Sequence, residues 1–519
     1  MSQKSRLKED DYPISGLELY FYFAVWIVHS FISIILAYQS SSQVGLWFNS
    51  ALRESPYRYL GVSAIVDDSD TEWLLFRVSL PNYIIIYTLH SLIFSLVKSR
   101  LSQKHQPFIL VPLWMVLMVQ GHSWPCFWIC LTLAVITTLI VGYCRNELMA
   151  WVICVVFVLN SGPQYIPYSM DPGVYYREYQ MYVYTAVKIL NFNIYLCRNK
   201  NINITPTLLT LFTEYLLYPP FCSTLIVLFD DFQKQRYNEK KFNIKTTVCL
   251  AMRLVFWFSI IEMALHFLRF NAFFNAPFTT MKHLHNYKVV SIAYLAGQYF
   301  HTKYVVIFGV ARLYAHIDGI TPPKSAICIS RVTKYSRMWR YFDRGLYQFL
   351  KHQLYIPFLG SGSGKLLMLR RFVAMVAVFG FVLCWHGLNA NYGYWVLLSA
   401  IELIIERIGL AFYQSKTGTN LRKRLGEANF SRLSAVCCIS NVIPGIFGAF
   451  FFLDHKDNGL HIFQNVLLKG FYQILTLDVQ RYNAGFVMSH LLLLGYCFAH
   501  VCAYLNVKLD QKPKVVKKE

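Results

Sequence analysis

Charge is what this chain has least of. Asp, Glu, Lys and Arg make up 15% of its 519 residues and hydrophobic residues 55%, against about 25% charged residues in an ordinary soluble domain. That shortage excludes a water-soluble globule and points to the bilayer as solvent. Acid is scarcer than base, with 27 Asp and Glu against 49 Lys and Arg, a formal charge of +22. Among the 13 Cys there is no CxxC pair, which removes the usual spacing of zinc ribbons and redox centres. Cys130, Cys154, Cys249, Cys384 and Cys497 lie in apolar runs and read as small buried hydrophobes. The stretch Gly360-Ser361-Gly362-Ser363-Gly364-Lys365 falls short of a phosphate loop, because Leu359 and Leu366 stand where a Gly and a Ser or Thr are required. His283-Leu284-His285 has no third ligand nearby and is a weak metal candidate. No internal repeat or Gly-, Ser- or Pro-rich linker divides the chain, so one integral domain over residues 1–519 is expected.

What is present in abundance is apolar sequence long enough to span a membrane, which takes about 20 residues at about 1.5 Å rise each. The clearest runs are Leu17–Tyr38, Phe127–Tyr143, Thr207–Phe229, Thr247–Leu268, Val289–Tyr314, Phe372–Leu388, Tyr394–Phe412, Ala435–Leu453 and Phe486–Val507. Shorter runs at Tyr83–Val97, Phe108–Val119 and Leu148–Leu159 fit spans, re-entrant segments or buried helices alike. The expected fold class is therefore all-α and polytopic, with about nine to twelve membrane helices plus re-entrant and amphipathic segments. The first run follows a mixed-charge start without a small-residue cleavage site and reads as a membrane helix. Basic residues cluster between runs, at Lys98, Arg100 and Lys104, at Lys234, Arg236, Lys240, Lys241 and Lys245, and at Lys512, Lys514, Lys517 and Lys518. The positive-inside bias puts these clusters on the cytosolic side. Anionic lipid head groups then account for the basic charge, and no nucleic-acid partner is needed.

The least membrane-like part lies between Asp318 and Arg371, after Pro322-Pro323. From Trp339 to Leu354 the residues Trp339, Phe342, Leu346, Phe349, Leu350 and Leu354 recur at helical steps, with Arg340, Arg344, Tyr347 and Lys351 on another side. This pattern predicts one basic amphipathic helix. Asp343 stands among its cations, where a surface ion pair is the plainer reading. His386 lies in Cys384-Trp385-His386-Gly387, within a stretch from Phe372 to Ala400 that holds no Asp, Glu, Lys or Arg. An ionisable group in such surroundings calls for a reason. Other runs also hold polar groups, among them His29, His90, Glu214, Glu402 and His490, so composition alone does not single His386 out. Glu262 and His266, four apart on one helix face, are expected to satisfy each other.

Sharper information comes from a series of short motifs: Lys303-Tyr304-Val305-Val306-Ile307-Phe308-Gly309, then Asp318-Gly319-Ile320-Thr321-Pro322-Pro323, Trp339-Arg340-Tyr341-Phe342-Asp343, Tyr355-Ile356-Pro357 and Trp385-His386-Gly387. In this order and spacing the chain resembles the hedgehog acyltransferase branch of the membrane-bound O-acyltransferase family, densely over about 90 residues. The resemblance implies a multi-helix membrane domain, its core at about 247–507, with a catalytic His in a tunnel across the bilayer. Acyl-CoA would enter from the cytosol and the acceptor from the lumen. The residue paired with the His is Asn in most branches and Asp in this one, as Asp343 is here. The branch moves palmitate from palmitoyl-CoA to the N-terminal cysteine amine of secreted hedgehog-type proteins.

By the same resemblance Cys328 matches an axial haem ligand, which makes haem a second expected cofactor and Cys328 a metal-binding residue. Residence in the endoplasmic reticulum membrane, with the Golgi as a further location, follows from meeting secretory cargo. The branch also has an Asn in the site, for which one alignment offers Ala449 and a gapped one Asn441. In chemical terms His386 is expected as general base, since imidazole can take the proton of the acceptor amine. Asp343 would orient the amine or the imidazole. Arg340, Arg344 and Lys365, with Arg337, Arg370 and Arg371, are the nearest cations for the CoA phosphates, and equally read as cytosolic flanks. The alternatives are an O-acyltransferase acting on a lipid or glycerol-like acceptor and a non-catalytic transporter or scaffold.

Overall fold

The computed structural model describes residues 12–43, 52–55, 65–237, 243–360, 365–454 and 457–510. In chain order the helices are α1 (Gly16–Gln43), α2 (Thr71–Arg100), α3 (Gln106–Gly121), α4 (Trp124–Cys144), α5 (Glu147–Leu159), α6 (Pro172–Arg198), α7 (Pro206–Leu217), α8 (Phe229–Arg236), α9 (Ile244–Phe267) and α10 (Phe270–Asn275). They continue with α11 (Asn286–Ile317), α12 (Tyr335–Tyr341), α13 (Arg344–Phe349), α14 (Ile356–Leu359), α15 (Lys365–His386), α16 (Ala390–Gln414), α17 (Lys416–Phe452), α18 (Asn458–Ile462), α19 (Lys469–Leu475) and α20 (Ala484–Asp510). Among the described residues the only strands are Leu52–Glu54 and Ile65–Asp67, paired antiparallel. The protein is an all-α polytopic membrane protein. Among the described residues, seven helices are long and apolar enough to cross a bilayer: α1, α2, α4, α9, α15, α17 and α20. Helices α6, α11 and α16 are of similar length and do not meet that measure of apolarity and low charge.

This architecture corrects one expected span and adds a helix that the apolar runs do not show. The run Thr207–Phe229 is not one span: α7 stops at Leu217, and a 3₁₀ turn, Pro219–Phe221, follows. Pro219 and Pro220 have no amide hydrogen to continue the helical ladder. Conversely, α6 went unrecognised. Twenty of its 27 residues are buried, but its sequence carries Arg177, Glu178, Lys188, Asn191 and Asn193, so it has no hydropathy signal. Four of those groups are met by other parts of the protein, and Asn193 Nδ2 donates to the Ile189 carbonyl of its own helix (2.9 Å). Arg177 Nε donates to the carbonyl of Gly121 (2.6 Å), and Glu178 accepts from the backbone N–H groups of Ser123 and Ser169 (2.7 Å each). Lys188 Nζ donates to the carbonyl of Leu216 (3.0 Å), and Asn191 accepts from Gln353 (3.0 Å). A polar helix is tolerated at membrane depth when its neighbours supply such partners.

Helices α2, α3 and α11 are tied by a second buried network. Trp114 Nε1 donates to His90 Nδ1 (2.8 Å), and His90 Nε2 meets Asp318 Oδ2 (2.8 Å), which also accepts from Tyr218. An indole N–H is a donor only, so His90 Nδ1 must accept and the ring proton sits on Nε2, facing the carboxylate. Glu262 and His266 do not satisfy each other's side chains as expected. Glu262 accepts from Trp73 Nε1 (2.9 Å) and Arg77 Nη1 (3.1 Å), while His266 bonds to the Glu262 carbonyl and to Ser55. Among the apolar-run cysteines, Cys130, Cys154 and Cys497 are buried, Cys384 is half-buried, and Cys249 is exposed on α9.

Candidate active site

The predicted amphipathic helix over residues 339–354 is broken in two, and Asp343 is the break. Helix α12 ends at Tyr341, Asp343 has extended backbone angles (φ −114°, ψ 96°), and its Oδ1 caps α13 by accepting from the Leu346 N–H at 2.9 Å. A short acceptor at an N-cap satisfies a donor that the first turn leaves open. The helix continues through a π-helical turn, Leu350–Tyr355, into α14. Gly345 lets this unit lie against the backbone before α8: a Cβ there would meet the Ile226 carbonyl oxygen at 2.4 Å. Asp343 is half-buried and lies outside the membrane-spanning helices; burial raises its carboxyl to about 6. No ion pair to Asp343 forms among the described residues, so the surface-pair reading falls away.

His386 closes α15 on its last residue, and Gly387 turns the chain with φ +104°, a conformation that favours glycine. The imidazole sits in an aromatic cage, with ring centroids of Phe452 at 5.0 Å, Trp395 at 5.5 Å and Tyr392 at 6.0 Å. Trp395 stacks on Trp339 at 5.3 Å, and Phe300 joins Phe452 (5.3 Å) to Phe342 (5.6 Å), the residue before Asp343. One aromatic wall therefore runs from the His to the Asp. Both line a single cavity of about 970 Å³. No hydrogen bond joins them among the described residues, and what they share is the cavity between them.

The cavity wall carries both signs of charge: the cations Arg340, Lys351 and Arg407, and the carboxylates Glu72 and Asp343. Lys365, Arg370 and Arg371 crowd the start of α15, and Lys98 and Arg100 the last turn of α2. The positive-inside bias assigns those ends to the cytosol. His386, at the far end of α15, and Glu72, in the first turn of α2, then both lie toward the opposite face. Of the cations read from sequence, Arg340 lines the cavity, whereas Arg344 lies over the Tyr341 ring at 4.6 Å and does not. Arg370 reaches the Leu359 carbonyl. Residues 361–364 and the Lys365 side chain lie outside the described residues, as do Lys240, Lys241 and the C-terminal lysine cluster. Lys351 was noted in the sequence only as part of a basic face, and Arg407, near the cytosolic end of an apolar helix, gave no motif signal.

Ala449 and Asn441 both line the cavity. Ala449 is one turn from Phe452, which packs on His386. Asn441 is buried about 12 Å further along α17 at 1.5 Å per residue, and its Oδ1 has no hydrogen-bond partner among the described residues.

Cys328 is exposed, directly ahead of the 3₁₀ turn Ile329–Arg331. Cys502 contacts the carbonyl of Ser330 (3.1 Å) and lies within electrostatic reach of Cys328, Arg331 and Arg337. An accessible thiol can serve as the one thiolate that a haem iron needs. Among the described residues no group of three or more His, Cys, Asp or Glu side chains is placed to hold a metal ion, which bears on chelate sites and not on a lone thiolate.

Comparison with known proteins bears on this site. The family model for MBOAT, the membrane-bound O-acyltransferase family, matches residues 164–447. The chain is 24% identical over 461 residues to the protein-cysteine N-palmitoyltransferase HHAT of Mus musculus, covering 84% of this chain and 87% of that protein. It is 28% identical over 324 residues to the protein-cysteine N-palmitoyltransferase Rasp of Drosophila melanogaster, covering 61% and 60%. It is also 26% identical over 206 residues to the membrane-bound O-acyltransferase GUP1 of Saccharomyces cerevisiae, covering 38% and 34%.

Proposed function

The chain belongs to the membrane-bound O-acyltransferase family, and we propose that it transfers palmitate from palmitoyl-CoA to the N-terminal cysteine amine of a secreted, hedgehog-type protein. The observation that carries this reading is the shared cavity: His386 and Asp343 line one space whose wall also holds the cations Arg340, Lys351 and Arg407 and the carboxylate Glu72. The likeness to two protein-cysteine N-palmitoyltransferases supports it.

In the proposed reaction Arg340, Lys351 and Arg407 hold the CoA phosphates, because guanidinium and ammonium groups suit phosphate oxygens. The acyl chain lies along the apolar cavity wall, stabilised by about 0.8 kcal/mol per buried methylene. The amine nitrogen attacks the thioester carbonyl, the C–N bond forms and the C–S bond breaks. His386 takes the amine proton and returns it to the leaving CoA thiolate. Asp343, fixed by its cap on α13, orients the amine. The aromatic cage excludes water, which would otherwise hydrolyse the thioester. Cys328 would hold the iron of a haem, which would supply a structural brace to the loop after α11. We place the reaction in the endoplasmic reticulum membrane, with the Golgi as a further location, and take the whole chain as one integral domain.

Incubation of the purified chain with alkyne-palmitoyl-CoA and a peptide beginning with Cys tests this. The expected product is a hydroxylamine-resistant, amide-linked label on the peptide. The likeness to an O-acyltransferase favours a second reading, transfer to a hydroxyl, and label found only in lipid would replace the first with it.

A further inference from the structure

Glu72 has no part in the motifs that identify the family, yet it lines the reaction cavity as a second carboxylate beside Asp343. It lies in the first turn of α2, whose cap residue Asp70 accepts from the Trp73 N–H at 3.0 Å. Lys303 of α11 lies between the two carboxylates, with Nζ 2.7 Å from Asp70 and 2.9 Å from Glu72, and Tyr304 donates to Glu72 at 2.8 Å. Two carboxylates share one ammonium, which leaves this corner of the cavity one negative charge in excess. The three groups are not equally accessible: the Lys303 side chain is 5% exposed, Asp70 17% and Glu72 30%. The excess charge is therefore presented by Glu72, and Lys303 is sealed behind it.

The position relative to the reacting groups is also fixed by neighbours. Tyr392, one wall of the cage around His386, lies within electrostatic reach of Glu72, Tyr179 and Lys303. Tyr184, whose ring meets Trp385 at 5.6 Å, lies within reach of both Asp343 and Glu72. An α-amine has a pKa of about 8 and arrives at neutral pH mostly as the ammonium. A fixed carboxylate on the wall of an apolar cavity attracts that cation more strongly than bulk water allows. We propose that Glu72 binds the ammonium form of the acceptor's N-terminus in the cavity, where it gives up one proton to water before the neutral amine meets His386, so that free primary amines are selected over neutral acceptors. This rests on the acyl-transfer reading for the identity of the acceptor, but its test does not need transfer to occur.

The test is equilibrium binding of a C-terminally labelled peptide beginning with Cys, and of its N-acetylated form, to the full chain in nanodiscs. The wild type is expected to hold the free amine at least about 10-fold tighter, the order of one charge-assisted hydrogen bond. Glu72→Gln is expected to abolish that preference while palmitoyl-CoA still binds normally, which reports an intact fold. Tyr304→Phe removes a hydrogen bond but keeps the charge and is expected to retain it. Equal binding of the two peptides by the wild type, or a preference that survives Glu72→Gln, overturns the proposal. Loss of the preference in Tyr304→Phe to the same extent as in Glu72→Gln overturns it too, because geometry and not charge would then be at work. Transfer is scored separately: a preserved amine preference without palmitate transfer overturns the proposed reaction and leaves the role of Glu72 standing.

Discussion

Replacing Gly345 with Ala would test how closely the position of Asp343 governs the reaction. The added Cβ would lie 2.4 Å from the Ile226 carbonyl oxygen, 3.2 Å from its carbon and 3.3 Å from its nitrogen, all backbone atoms with no rotamer to yield. Real Cβ contacts essentially never fall under 3.0 Å, so the start of α13 must move by at least about 0.6 Å. Asp343 is two residues away and caps the same turn, so it moves with it. Overpacking of this kind typically costs about 1–3 kcal/mol in stability, whereas a misplacement of about 1 Å in a reacting group can cost about 10²-fold in rate. The expected result is a chain that folds with a modestly lower Tm and loses about 10- to 100-fold in kcat for peptide palmitoylation, with KM for palmitoyl-CoA little changed. A rate within about threefold of wild type, alongside a lowered Tm, would refute the coupling between this contact and the site.

Three further outcomes follow from the same geometry. Arg340→Ala should raise KM for palmitoyl-CoA by about 10-fold or more, in keeping with loss of about 1.5–3 kcal/mol from a hydrogen bond to a charged group, while Arg344→Ala, outside the cavity wall, should change it by less than about threefold; steady-state kinetics with varied donor separates them. Asp343 has a folded carboxyl raised to about 6 by burial against about 3.9 unfolded, so its contribution to stability is full below about 4 and lost as pH rises through about 6; Asp343→Asn should remove that component, seen as a Tm that no longer falls relative to wild type between these pH values. Arg236 and Glu214 are fully buried with Nη2 to Oε1 at 2.6 Å, so Arg236→Met should destabilise by about 3–5 kcal/mol by stranding the carboxylate, and adding Glu214→Leu should restore most of the loss in denaturant titration.

The sequence made the site legible to different depths. His386 and Asp343 could be picked out because each sits in a short motif, and the chain brings both to one cavity. That Asp343 is an N-cap was hidden, because the apolar periodicity runs unbroken from Trp339 to Leu354 and a cap is a backbone event that leaves no gap in the pattern. Helix α6 was invisible for the opposite reason: polar groups partnered on α7 and at the start of α4 interrupt its apolar residues and mask them in hydropathy. The end at Leu217 could have been anticipated from Pro219-Pro220, which the hydropathy of the surrounding residues masked. Arg407 and Glu72 join the cavity only through helix packing, and no local pattern marks either.

The most direct test of the account is His386→Ala in the full chain, assayed for palmitate transfer from palmitoyl-CoA to a peptide beginning with Cys, with Tm measured on the same preparation. The ring is held by aromatic contacts and by no hydrogen bond among the described residues, so the fold should survive its removal. General-base assistance typically contributes about 10²- to 10⁴-fold; turnover should fall by at least about 10²-fold with Tm nearly unchanged. Wild-type turnover in that variant would contradict the assignment of His386 as the base and, with it, the reaction centre described here.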